Sequence, residues 1–126
     1  MVKDGKMRIF GKRSAHSPVM NDLPALTLDD AGIILGCSDA GESLLGYRSE
    51  ELKCAHISAL IPQLEEIPLM KGNEINPRLS FLCRCGHPFR TLDRNGNLFP
   101  CELHLFELGN ASRRILRIIL SPRSPS

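Results

Sequence analysis

Cys83, Cys85 and His87 stand close together as Cys-Arg-Cys-Gly-His, and Cys54-Ala-His56 and Cys101-Glu-Leu-His104 add two more thiol and imidazole pairs at short spacing. Soft sulfur and nitrogen donors hold zinc or haem iron when they converge, and a thiolate beside an imidazole is the minimum for nucleophilic catalysis. The spacing works against convergence. No Cys-x-x-Cys pair occurs in the sequence, and on a helix Cys83 and Cys85 diverge by about 200°. On a strand, Cys101 and His104 have opposite parity and point to opposite faces. Core or surface thiols are therefore expected, with no metal site. Cys85 with His87 is the only sequence-local nucleophile and base, and no motif supports it. Gly32, Gly36, Gly41 and Gly46 are too widely spaced for a phosphate-binding loop and suit turns and helix stops. No paired-carboxylate signature appears either, so the chain is not expected to be an enzyme.

Residues that do no chemistry still need elements to carry them, and bulk properties bound those elements. A chain of 126 residues with 42% hydrophobic and 24% charged content suits a single domain with one core. A net charge of +2, from scattered basic residues, argues against a nucleic-acid partner. No apolar run approaches the roughly 18 to 20 residues that cross a bilayer, so no membrane is expected for this segment. Five cysteines without framework spacing suit reduced thiols and a cytoplasmic location.

Residues 1–23 carry Lys3, Lys6, Arg8, Lys12 and Arg13, and glycine and proline interrupt any helical period. A flexible leader is expected, or alternatively an N-terminal cap in which Met7, Ile9 and Phe10 dock on the domain. Ser121-Pro-Arg-Ser-Pro-Ser126 reads as a Pro/Ser tail that cannot continue a strand. Between them, residues 24–120 form the domain. Ala25 to Cys37 gives two short strands split by Asp29-Asp30-Ala31-Gly32. Ser38 and Asp39 supply capping side chains for a helix over Ala40 to Leu45 that Gly46 stops. Ser49 caps a second short helix, His56 to Leu60 makes a third, and Pro77 to Arg84 makes a longer connecting helix. Asn95-Gly96 is a strong hairpin signal between two strands, and a third strand returns after Gly109-Asn110.

The periodicity of the last strands assigns their faces. Phe99, Cys101, Leu103 and Leu105 alternate with Pro100, Glu102, His104 and Phe106, the period of a strand with one buried face. In the final strand Leu116, Ile118 and Leu120 alternate with Ile115, Arg117 and Ile119, so both faces are largely apolar. Strands of that kind are usually covered on both sides. Phe106, Ile115 and Ile119 are therefore expected on an outer face beneath a second subunit or the leader. Their burial would contribute roughly 5 to 9 kcal/mol before ordering costs.

Strands, then short helices, then one connecting helix, then strands imply an α+β fold with an antiparallel sheet and helices on one face. Asp30-Ala-Gly-Ile-Ile, Ser38-Asp-Ala-Gly-Glu-Ser-Leu-Leu-Gly-Tyr47, Ser49-Glu-Glu-Leu52, Leu60-Ile-Pro62 and Arg94-Asn-Gly-Asn-Leu-Phe-Pro-Cys-Glu-Leu103 follow in an order and spacing that resembles a PAS domain. The resemblance implies a five-stranded antiparallel sheet in the order 2-1-5-4-3, with a cavity between sheet and helices. It also implies a sensor or interaction module of a larger signalling protein, such as a histidine kinase, chemoreceptor or cyclic-dinucleotide enzyme. Two departures stand out: Asp39 replaces the Asn common in the family, and Ser121-Pro122 replaces the Asp-Ile-Thr signature.

The resemblance leaves two functional readings. In the first, a small ligand enters the cavity, contacts Phe81, Cys85, His87, Cys101 and Leu103, and shifts the domain between two arrangements read by an output domain. In the second, a ligand-free module docks as a homodimer through Phe106, Ile115 and Ile119. Haem is a lesser alternative, since Glu65 to Ile75 lacks the family's usual histidine and ligation would fall to His87, Cys85, Met70 or His56. Leu82-Cys83-Arg84-Cys85 does not reproduce the flavin-adduct motif of the light-sensing branch, so flavin is not expected.

Overall fold

The computed structural model describes residues 23–110 and 113–123. Its main sheet comprises β1 (Ala25–Asp29), β2 (Ile34–Cys37), β5 (Phe89–Leu92), β6 (Leu98–Asn110) and β7 (Arg113–Pro122). They pair antiparallel in the order β2-β1-β7-β6-β5. A separate small hairpin, β3 (Met70–Lys71) with β4 (Glu74–Ile75), lies outside that sheet. Counting main-sheet strands alone, the order is the expected 2-1-5-4-3. The hairpin itself was not foreseen, because two-residue strands carry no readable period.

Each turn has a side chain that sets it. Asp29 Oδ1 accepts from the Ala31 and Ile33 amides, closing the β1–β2 turn, and Gly32 supplies the positive φ of 89°. Asp93 Oδ1 does the same for Asn95 and Asn97 in the β5–β6 hairpin, with Gly96 at φ 86°. Ser38 caps α1 (Asp39–Leu45), accepting from the Gly41 amide at 3.1 Å, and Gly46 ends that helix at φ 81°. The Ser38 hydroxyl also accepts from the Ala25 amide and donates to the Leu23 carbonyl, both at 2.9 Å. One side chain thus ties the start of β1 to the start of α1.

α2 (Ser49–Leu52) begins one residue earlier than expected, with Arg48 at the cap position. Ser49 does not cap it; its hydroxyl accepts the Cys37 amide of β2 instead, and Glu51 reaches back to the Arg48 amide. The stretch expected as a third helix is a single 3-10 turn at Ile57–Ala59, followed by another at Pro62–Glu65. His56 caps the first, its Nδ1 accepting from the Ser58 amide. The connecting helix α3 (Pro77–Arg84) forms as read, with Asn76 as its cap.

Helices and turns cover one face of the sheet. Leu45, Leu52, Ile57, Leu60, Ile61, Leu64 and Leu79 pack against Leu26, Leu28, Ile34, Phe89, Cys101, Leu103, Leu116, Ile118 and Leu120 in one buried cluster. The burial is an alternation: Leu116, Ile118 and Leu120 point in, while Arg117 between them points out.

The expected Pro/Ser tail is corrected at its start. Ser121 and Pro122 continue β7, facing Glu102 and Cys101. Proline is tolerated there because alternate β7 residues face β1, and β1 begins only opposite Ile119, so the missing Pro122 N–H meets no ladder partner. Of the tail, residues 124–126 lie outside the described residues. So does the leader up to residue 22, including Met7, Ile9 and Phe10.

Candidate functional site

α3 decides which side chains meet the sheet. Leu79 is buried, and Leu82 and Cys83 are half-buried against the core, following the i, i+3, i+4 rule. Phe81 is off that stripe and 57% exposed. Cys85 is exposed at the helix C-cap. Of the expected ligand contacts, Cys101 and Leu103 are fully buried on the inner sheet face, and His87 is half-buried with its ring edge-on to Phe89 at 4.8 Å. The structure therefore places Cys101 and Leu103 within the packed core, and Phe81 and Cys85 outside it. Leu26, Leu28, Leu79, Phe89 and Leu103 occupy the space between helices and sheet.

Three open hollows surround this core. One of about 520 Å³ is lined by Pro62, Gln63, Glu66, Ile67, Arg78, Leu82 and His87. Another, about 290 Å³, lies between Ser80, Cys83 and Arg84 of α3 and Leu103 to Phe106 of β6. A third, about 320 Å³, includes His56 and Met70, while His87 lines only the first of the three and Cys85 none. The alternative haem ligands are therefore not gathered at one place. Gln63 and Glu66 escaped the sequence reading because residues 62–67 carry no periodic signal that aims them at α3.

Three of the five thiols are shielded by burial, while Cys54 and Cys85 are exposed. Burial pushes Cys37 up to about 11, with Glu42 and Asp39 adding repulsion, and burial pushes Cys83 up to about 11. Cys101 is also raised by burial, opposed by a hydrogen bond involving Thr91. A protonated thiol is a poor nucleophile and a poor metal ligand. Among the described residues no group of three His, Cys, Asp or Glu side chains is arranged to hold a metal ion.

The outer sheet face is different in character. Phe106 is 49% and Leu108 43% exposed. Cross-strand pairing sets Leu108 against Ile115, Phe106 against Arg117 and His104 against Ile119. A groove of about 220 Å³ runs here between Leu23, Ala25, Phe106, Leu108, Arg117 and Ile119. Phe106, Ile115 and Ile119 thus share one face, half-buried or exposed. Leu108 belongs with them, and its even spacing from Phe106 was the signal for it.

At the opposite end, Arg94 in the β5–β6 turn bonds both Glu51 carboxylate oxygens at 2.8 Å and lies over the Tyr47 ring at 5.6 Å. The Glu51 carboxyl is held below its usual range, first by the Arg48 amide and then by Arg94. This fastening is structural: it joins the hairpin to the α1–α2 connection.

A sheet of this order with short helices and a connecting helix on one face defines a class of fold, and solved structures identify it. The chain matches a PAS domain from a two-component sensor histidine kinase at 15% identity, covering 83% of this chain and 90% of that one, with a TM-score of 0.63. It matches the PAS domain of an HTR-like protein from Haloarcula marismortui at 16% identity, 80% and 86% coverage and a TM-score of 0.58. A light-oxygen-voltage domain, from work with a flavin analogue, matches at 15% identity, 85% and 82% coverage and a TM-score of 0.57. The fold is the PAS fold. No family model and no curated protein matches the chain.

Proposed function

We propose that this chain is a non-catalytic, cytoplasmic PAS signalling module of a larger signal-transduction protein, relaying its state to an output domain by homodimerisation. The observation that carries the reading is the apolar outer face, where Phe106 and Leu108 are exposed beside Ile115 and Ile119. Large exposed side chains clustered beside a groove mark an interaction surface more often than scattered ones do. A second sheet stacked there, about 10 Å away, would bury them as a sandwich core. The cytoplasmic assignment rests on five free cysteines. Sedimentation velocity on the wild type and on Ile119→Asp tests the reading. A dimer is expected to dissociate when the charge enters the interface, with far-UV circular dichroism unchanged. An unchanged mass for Ile119→Asp would sink it.

A second reading, ligand sensing, is favoured by the hollow of about 520 Å³ that Arg78 and His87 line. A guanidinium and an imidazole, set against the single carboxylate of Glu66 in the same lining, suit a small anionic ligand. Absorption and native mass spectrometry of the purified protein test it. Added mass lost in His87→Ala supports a ligand there, and a Soret band would indicate haem. A colourless protein of unmodified mass, with no shift in melting temperature across a panel of small carboxylates, counts against it.

A further inference from the structure

We infer that the free edge of β6 is a second interface, at which two copies of this chain pair antiparallel about Leu105. The edges of the main sheet are otherwise covered. On β2, the Ile34 amide bonds Ala55, the Cys54 amide bonds Ile34, and the Cys37 amide bonds the Ser49 hydroxyl. On β5, the Leu92 amide bonds the Leu60 carbonyl and the Arg90 amide bonds Gln63 Oε1. β5, however, pairs only with Leu98 to Cys101, and β6 runs on to Asn110.

Backbone direction follows from those bonds. Because Arg90 and Leu92 point away from β6, Phe89 and Thr91 point toward it, and so do their partners Cys101 and Phe99 toward β5. The Arg123 amide bonds the Pro100 carbonyl, which confirms that even-numbered β6 residues face β7. Leu103, Leu105 and Glu107 therefore present their N–H and C=O groups to the open side, where no partner is found among the described residues. Glu102 to Leu108 contains neither Pro nor Lys to blunt that edge.

The span ends at Cys101, where β5 begins to pair, and at Gly109, whose φ of 88° breaks the extended chain. Its centre is Leu105. Pairing there sets Leu105 against Leu105 and Leu103 against Glu107 of the second copy, with both bonds of each facing pair made. The hollow between α3 and Leu103 to Phe106 lies on this side, and Arg84 lines it without a carboxylate partner among the described residues. Glu107, which in its own chain pairs with Arg114 at 3.5 Å, enters from the second copy beside Leu103, on the side of the hollow that Arg84 lines. That complementarity, made twice by symmetry, selects a second copy as the occupant. The two-fold axis is normal to the sheet, so Phe106 and Leu108 of both copies lie on one continuous outer face. Rested on the proposed face-to-face contact, edge pairing gives a tetramer with perpendicular two-fold axes, a symmetry open to chains with two isologous interfaces.

Sedimentation velocity with two variants separates the interfaces. Glu107→Pro removes an edge amide that β7 does not use, and Ile119→Asp disrupts the outer face. The wild type is expected to be a tetramer that either variant halves in mass. Glu107→Lys should weaken edge association at least tenfold at low salt, and Arg84→Glu in the same chain should restore it. A wild-type dimer split only by Ile119→Asp overturns the edge and leaves the face. A dimer split only by Glu107→Pro supports the edge and overturns the face. A monomer throughout overturns both. Where both variants split a dimer, hydrogen exchange decides: slow exchange at the Leu103, Leu105 and Glu107 amides that speeds up on dilution supports edge pairing, and fast exchange in the assembly overturns it.

Discussion

Replacing Ser38 by alanine should destabilise the domain far more than a half-buried serine ordinarily would. Its hydroxyl accepts from the Ala25 amide at 2.9 Å and the Gly41 amide at 3.1 Å, and donates to the Leu23 carbonyl at 2.9 Å. Loss of the helix cap alone costs about 1 kcal/mol. Ala25 is only 6% exposed, so its amide, left without an acceptor, adds about 1–3 kcal/mol. Together the loss is roughly 2–4 kcal/mol, a large share of the stability of a small domain. Urea unfolding followed by circular dichroism measures it, with Ser38→Thr, which keeps the hydroxyl, as the control expected to lose well under half as much. The site has a functional edge, because Leu23 and Ala25 line the outer groove and mark where the preceding chain joins the sheet. If Ser38→Ala loses less than about 1 kcal/mol, or no more than Ser38→Thr, the hydroxyl is not the tie described.

Two further outcomes follow from the same structure. Glu51 and Asp93 have carboxyls held below their ordinary values of 4.5 and 3.8, Glu51 first by the Arg48 amide and Asp93 first by the Asn97 amide. A depressed folded-state pKa gives stability that is present above the unfolded value and lost as pH falls through the folded one. The melting temperature should therefore drop as pH is lowered below about 4.5, and Glu51→Gln with Asp93→Asn should flatten that slope; an equally steep slope in the double variant contradicts the assignment. Alkylation with iodoacetamide at pH 8, read by peptide mass spectrometry, should modify exposed Cys54 and Cys85 well before Cys37, Cys83 and Cys101. Prior labelling of Cys83 would show that its thiol is not pushed up to about 11 by burial.

What could be read from the sequence was whatever short-range chemistry dictates. Asn95-Gly96 has no tertiary requirement to form its turn, and the Asp93 carboxylate that completes it lies within the same loop. Ser38 and Gly46 bracket α1 by the same local logic. The β6 and β7 alternation reports burial directly, so the inner and outer sets separate by parity alone. Ser49 misled because the bond it makes is to Cys37, a contact that only the fold creates. Phe81 misled for a related reason. A helix this short has room for one apolar stripe, and Leu79, Leu82 and Cys83 take it. An aromatic side chain beside that stripe stays in solvent, however strongly its residue type suggests a pocket. The Ser121-Pro122 strand was hidden because proline's exclusion from sheets depends on where its N–H would have pointed.

β6 joins these strands of argument, since each of its residues has two independent directions. Odd positions send side chains into the core and backbone groups toward β5 and the open edge; even positions send side chains outward and backbone groups to β7. The core needs only the first of these from Cys101 and Leu103, which are fully buried. Past Cys101 the strand outruns its β5 partner, yet it stays extended to Leu108 and keeps its pairing with β7 as far as Asn110. After Glu102, which pairs with Arg123, the outward side chains in that stretch are His104, Phe106 and Leu108. A strand kept long beyond its neighbour, apolar outside and unblunted at its edge, is a poor solution for an isolated monomer, which would gain by shortening it or placing lysine there. It is a good solution for a module whose working state is an assembly.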